Sequence, residues 1–139
     1  MYTIEHIGIA VKSLAESDEL FKRLLGVASY KHESVPDQKV ITSFFRTGGS
    51  KVELLEATAE DSPIHRFIER RGEGIHHIAF EVDDIRLEMQ RLKEAGFELL
   101  QQEPSLGADQ KWVCFIHPKS ANGVLVEICQ TMPQDVMPS

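Results

Sequence analysis

Ile4-Glu5-His6-Ile7-Gly8-Ile9-Ala10-Val11 stands near the start of the chain, and Ile75-His76-His77-Ile78-Ala79-Phe80-Glu81-Val82 repeats its pattern 71 positions on, His6 matching His77. A second echo follows. Lys51-Val52-Glu53-Leu54-Leu55 returns as Leu125-Val126-Glu127-Ile128-Cys129, offset by 74. Each half opens on a strand with a histidine and closes on a strand with a glutamate. Two His and two Glu at matched places in a duplicated unit are what a metal centre between the halves requires.

Working outward, residues 3–11 alternate with a period of two. The alternation puts Ile7, Ile9 and Val11 on one face as core, and His6, Gly8 and Ala10 on the other as an open, approachable face. Ser13 and Glu16 form a capping box, which starts a helix to about Leu25 with Leu14, Leu20, Phe21 and Leu24 as its apolar residues. Gly26 closes it. Strands are expected over Val27 to Ser34, Lys39 to Thr47 and Lys51 to Glu56, with turns at Val35-Pro36-Asp37 and Gly48-Gly49-Ser50. Asp61-Ser62-Pro63 opens a short linker helix over 62–70 with proline at the favoured first position. The second unit repeats the order. A strand over 74–82 precedes a helix over 84–95 with Ile85, Met89 and Leu92 on one stripe, closed by Gly96. Strands are expected near 97–103, 111–117 and 123–130, and a frayed tail from Thr131. The reading is α+β: one domain over 1–139, made of two tandem β-α-β-β-β modules at about 1–60 and 72–131.

The 139 residues suffice for one such core. A net charge of −7 argues against nucleic acid or an anionic membrane surface as partner, while leaving room for an anionic small ligand met by local cations. No apolar run approaches the ~20 residues of a membrane span, and the N-terminus enters strand pattern without a leader, so a cytoplasmic protein is expected. Cys114 and Cys129 sit in apolar runs without metal-type spacing and read as reduced core thiols.

Taken singly, His6 or His77 would be an ordinary structural histidine. His76 competes with His77, but the repeat selects His77 and alternation sends His76 to the opposite face. Glu127 stands in an almost wholly apolar strand, where a carboxylate needs a base or a metal beside it. Pairwise matching across the duplication favours the metal. Two imidazoles and two carboxylates suit a six-coordinate divalent ion with open positions (Co²⁺, Ni²⁺, Mn²⁺, Fe²⁺ or Zn²⁺) rather than a closed structural zinc site.

This duplication with its His/Glu, His/Glu set resembles the vicinal oxygen chelate superfamily of glyoxalases, extradiol dioxygenases, fosfomycin and bleomycin resistance proteins, and methylmalonyl-CoA epimerases. The epimerases are the nearest match, over essentially the whole chain. The matching stretches include Val35-Pro36-Asp37-Gln38-Lys39-Val40, Gly72-Glu73-Gly74-Ile75-His76-His77-Ile78-Ala79, Glu103-Pro104 with Gly107-Ala108, and His117-Pro118-Lys119-Ser120.

The resemblance implies a glyoxalase-like curved mixed sheet around a metal held by His6, Glu53, His77 and Glu127, with cobalt as the first choice of ion. It also implies a homodimer and an acyl-CoA substrate. The activity would be interconversion of (2R)- and (2S)-methylmalonyl-CoA, as in propionate metabolism, by proton transfer through a metal-stabilised enolate. Glu127 is expected as one base and Glu53 as the other, with Lys119 and Gln38 as substrate contacts. A further family carboxylate would fall near Thr42, where this chain has none. The alternatives are a glyoxalase I-type lactoylglutathione lyase and a non-catalytic binding or resistance protein. The second of these would need an aromatic-lined cavity, against an aromatic content of only 7%.

Overall fold

Residues 2–132 are described by the structure, a computed structural model. Its strands and helices run β1 Thr3–Ala10, α1 Leu14–Leu25, β2 Lys31–Val35, β3 Val40–Thr47, β4 Ser50–Ala57 and α2 Pro63–Arg71, then β5 Gly74–Glu81, α3 Ile85–Glu94, β6 Ser105–Leu106, β7 Lys111–Ile116 and β8 Val126–Thr131. The order is β-α-β-β-β twice, with α2 between. Residues 6–76 form one compact unit, and residues from 77 onward, together with the first five, form the other.

In the unit of residues 6–76 the strand order is β2-β3-β4-β1, antiparallel except for the parallel β1–β4 pair. Its core lies between α1 and one sheet face. Val11, Leu14, Phe45 and Leu54 are buried there, with Ile9, Phe21, Leu25, Ile41 and Val52 packed around them. Ser13 caps α1 by accepting from the Glu16 amide, and Gly26 ends it at φ 76°, a left-handed turn that suits a residue without Cβ. The inward stripe of α1 is Leu14, Phe21 and Leu25, whereas Leu20 and Leu24 are exposed. The strand expected from Val27 begins only at Lys31. Ser29 is instead engaged locally, its hydroxyl donating to the Lys31 carbonyl at 3.1 Å and accepting from Ser43. The face that alternation assigned to His6, Gly8 and Ala10 is not open: all three are buried.

The other unit repeats the order as β5-β8-β7-β6, with β5–β8 parallel. The Asp84 carboxylate caps α3, whose Ile85, Met89 and Leu92 join Val82, Cys114, Ile116 and Ile128 in the core. A full strand over 97–103 does not form; one bridge, Leu99 with Ile116, and the two-residue β6 stand in its place. The Gln101 side chain takes over the missing hydrogen bonds, accepting from the Phe115 amide at 3.0 Å and donating to Ser105 at 2.9 Å. Pro104 brings no amide hydrogen. At Gly107 an added Cβ would lie 2.8 Å from a buried Val113 methyl, so this turn needs glycine. Past Met132, the remainder of the tail expected to fray from Thr131 lies outside the described residues; Thr131 itself ends β8.

Candidate functional site

Register builds the first half of the site. On the parallel β1–β4 pair, His6 lies beside Lys51 and Gly8 beside Glu53, so no side chain stands between the imidazole and the carboxylate. His6 Nδ1 is 3.1 Å from Glu53 Oε2, and the two residues are 5% and 4% exposed. The second half reproduces the arrangement in its own unit. Ala79 lies beside Glu127 on β5–β8, taking the place of Gly8, and His77 Nε2 is 3.4 Å from Glu127 Oε1. His77 and Glu127 are each 5% exposed. Phe44 faces Glu53 and Phe115 faces Glu127 in the antiparallel ladders, so the repeat extends to the aromatic floor. The His77 ring stands edge-on to Phe115, with centroids 5.9 Å apart.

Each unit thus brings together one expected imidazole and one expected carboxylate, deeply buried. Taking a carboxylate out of water is costly unless a positive partner meets it. A neutral imidazole nitrogen and a carboxylate oxygen pointing at each other are also a ready pair of donors for a divalent ion, so the residues fit one. His76, the competing histidine, is on the other side of its strand, edge-on to Phe67 at 5.0 Å. Burial pushes its pKa down to about 4, so it stays neutral near pH 7.

The expected substrate contacts are placed less decisively. Lys119 sits in a single 3-10 turn, Pro118–Ser120, capped by His117 Nδ1, which accepts from the Lys119 amide. Its ammonium pairs with Glu98 at 2.9 Å, and this bond holds the Glu98 carboxyl below its usual pKa. Gln38 ends the turn Pro36–Gln38, half-buried, its carbonyl accepting from the Ser62 hydroxyl at 3.4 Å. Both cysteines are free and buried, and burial pushes the Cys114 thiol up to about 11, which suits inert core residues.

Two features escaped the sequence reading. Lys51 is buried with its ammonium 4.0 Å from Glu53 and 5.8 Å from the Phe44 ring centre. Its position two residues before Glu53, hence on the same face, was the signal available. In the other unit Lys111 is buried between two carboxylates, 3.7 Å from Glu5 and 3.5 Å from Glu81, and donates to the Thr131 hydroxyl at 2.6 Å. Only the folded register brings these together.

Comparison with known proteins gives the family. The model of the Glyoxalase/Bleomycin resistance protein/Dioxygenase superfamily matches residues 5–115. The chain is 41% identical over 130 residues to a Bacillus subtilis (strain 168) protein described as Uncharacterized protein YqjC, covering 94% of this chain and 93% of that one. It is 41% identical over 129 residues to the ethylmalonyl-CoA/methylmalonyl-CoA epimerase of Cereibacter sphaeroides, covering 91% and 96%. Among solved structures, a variant of Streptomyces coelicolor methylmalonyl-CoA epimerase in complex with 2-nitronate-propionyl-CoA superposes with a TM-score of 0.89 at 32% identity, covering 93% and 94%. The chain belongs to the glyoxalase/bleomycin resistance protein/dioxygenase superfamily and, within it, to the methylmalonyl-CoA epimerase family.

Proposed function

We propose that the protein is a metal-dependent epimerase that interconverts (2R)- and (2S)-methylmalonyl-CoA. The observation that carries this is the duplicated buried pair, His6 with Glu53 and His77 with Glu127, at 3.1 and 3.4 Å in a chain of the epimerase family. His6, Glu53, His77 and Glu127 are the residues that would hold a divalent ion, cobalt by preference, with zinc, nickel or manganese as alternatives. When bound, that ion supplies an electrophile for two substrate oxygens and offsets the charge that develops on deprotonation.

The protein's own work is proton movement. The α-hydrogen of a malonyl-type thioester is acidic, and inversion requires a proton acceptor on one face and a donor on the other. Glu127 is one of these groups. Phe115 and the apolar residues beside it exclude water there, which strengthens each electrostatic contact. Glu53, set between His6 and Lys51, serves as a ligand; its use as the second base is the less favoured assignment. Lys119 and Gln38 contact the acyl-CoA at the mouth of the site. The protein works as a homodimer, which light scattering would test; a fully active monomer at dilute concentration would exclude it.

The deciding experiment follows deuterium uptake and inversion in methylmalonyl-CoA with purified protein, with and without added Co²⁺, using a glutathione hemithioacetal as control. Inversion of the CoA ester with solvent deuterium incorporated is expected. Turnover of the hemithioacetal instead would make the protein a glyoxalase, and binding without turnover of either would make it a sequestering protein.

A further inference from the structure

The duplication that builds the two half-sites is broken at one position. His6 matches His77, Gly8 matches Ala79, Phe44 matches Phe115 and Glu53 matches Glu127. At the offset of 74 that joins the two glutamates, however, Lys51 matches Leu125. Lys51 stands two residues before Glu53 on β4 and so shares its face of the sheet. Leu125 stands two residues before Glu127, and its carbonyl accepts from the Ile78 amide at 3.2 Å, which carries the β5–β8 ladder to it. One unit holds a cation and the other a hydrocarbon at equivalent places.

In residues 6–76 the lysine is buried with the carboxylate it faces, Lys51 being 7% exposed and Glu53 4%. Its Nζ is 4.0 Å from Glu53 Oε2, the same oxygen that faces His6 Nδ1 at 3.1 Å. The register sets His6 beside Lys51 on β1, and the Phe44 ring centre lies 5.8 Å from the ammonium. An ammonium and a carboxylate taken out of water are each costly without an opposite charge close by. Glu53 therefore carries a counter-charge that is part of the fold. That ammonium has no lone pair to offer an ion, and its charge opposes any cation that comes to the same carboxylate. Leu125 sets no such charge beside Glu127.

We infer that Lys51 is a positioning residue that makes the two half-sites unequal: it fixes the Glu53 carboxylate in place and weakens its hold on a divalent ion relative to that of Glu127. This rests on the metal-dependent reading proposed above. Lys51 acts through Glu53 and is not itself a ligand. The two glutamates, identical in sequence and matched in register, are thereby given different strengths as donors by one unmatched residue.

The test is titration of the metal-free, full-length protein with Co²⁺ at one pH near neutrality, comparing wild type with Lys51→Met, Lys51→Arg and Leu125→Lys. Lys51→Met is expected to bind Co²⁺ about tenfold more tightly than wild type, and to show a lower Tm without the ion because Glu53 has lost its counter-charge. Lys51→Arg keeps the charge and should bind within a few-fold of wild type. Leu125→Lys, at a half-buried position, places an ammonium on the Glu127 side and should bind about tenfold more weakly. A lysine that only filled space would leave affinity unchanged or lower on its removal, so tighter binding separates the two roles. Equal or weaker Co²⁺ binding by Lys51→Met would overturn the assignment. If that variant does not fold, unchanged binding by Leu125→Lys would overturn it instead. Wild-type protein that binds no Co²⁺ would remove the metal reading itself, and the role of Lys51 with it.

Discussion

Alanine in place of His77 or of His76 separates a ligand from its neighbour in sequence, and the folded geometry sets the expected size of the difference. Unfolding entropy of about 2.1 cal/mol/K per residue gives a chain of 139 residues roughly 0.3 kcal/mol/K, so each kcal/mol of added stability raises Tm by about 3 °C. A divalent ion present at about a thousand times its Kd adds about 4 kcal/mol, a rise of about 14 °C for the wild-type protein. Loss of the His77 imidazole, 3.4 Å from Glu127, should weaken the ion at least as much as the ~100-fold that removal of an outer partner can cost. At the same metal concentration the rise then shrinks to about 5 °C or less. His76→Ala removes a ring packed on Phe67, so it lowers the starting Tm but leaves the metal-induced rise intact. Scanning calorimetry with and without Co²⁺ on the three proteins measures this directly. A full rise in His77→Ala, or its loss in His76→Ala, would refute the assignment of ligands from the repeat.

Glu127→Gln should keep metal, because a carboxamide oxygen still ligates, while lowering epimerisation by about a hundredfold or more; an active Glu127→Gln protein would remove Glu127 from the chemistry. Glu53→Gln should retain inversion with a weaker metal, read by Co²⁺ titration, whereas its complete inactivation with metal bound would return the second base to Glu53. Lys119→Ala should raise KM for the CoA ester several-fold with kcat unchanged, since the lysine is exposed and pairs with Glu98; unaltered KM would make it a surface residue only. His76, neutral in the fold with a pKa near 4 but near 6.5 when unfolded, gives stability that is present above about pH 6.5 and is lost as pH falls toward 4, by about 2–3 kcal/mol. Denaturant melts at pH 7 and pH 4.5 should show a smaller acid loss in His76→Phe, and equal slopes would refute the sign.

What was legible in the sequence was whatever repeats at short range. The period of two along residues 3–11 and the caps at Ser13 and Ser62 place β1, α1 and α2 within a residue or so, and the doubled His and Glu by themselves select the residues that form the buried pairs. The failures lie where a long-range partner decides. Leu20 and Leu24 satisfy a helical stripe, yet α1 turns Leu14, Phe21 and Leu25 inward because its contact is with Phe45 and Leu54 far along the chain. Residues 97–103 look like a strand, but Gln101 answers the Phe115 amide with its side chain rather than with a ladder. Alternation identifies two faces of a strand without saying which is covered, so His6 and Gly8 were expected to be open.

The assignment of residues 1–5 to the unit that begins at His77 has a consequence for how the protein is made. Glu5 is synthesised before residues 6–76, yet it meets the buried Lys111, which is synthesised after them. The stretch 6–76 can pack during translation, while the opening peptide must wait for its partner. A split after His76, where one unit ends, would therefore part Lys111 from Glu5: the carboxy-terminal piece would keep Glu81, 3.5 Å from Lys111, but lose the second carboxylate beside it. Moving residues 1–5 to the end of such a fragment, through a flexible tether, would restore the missing carboxylate.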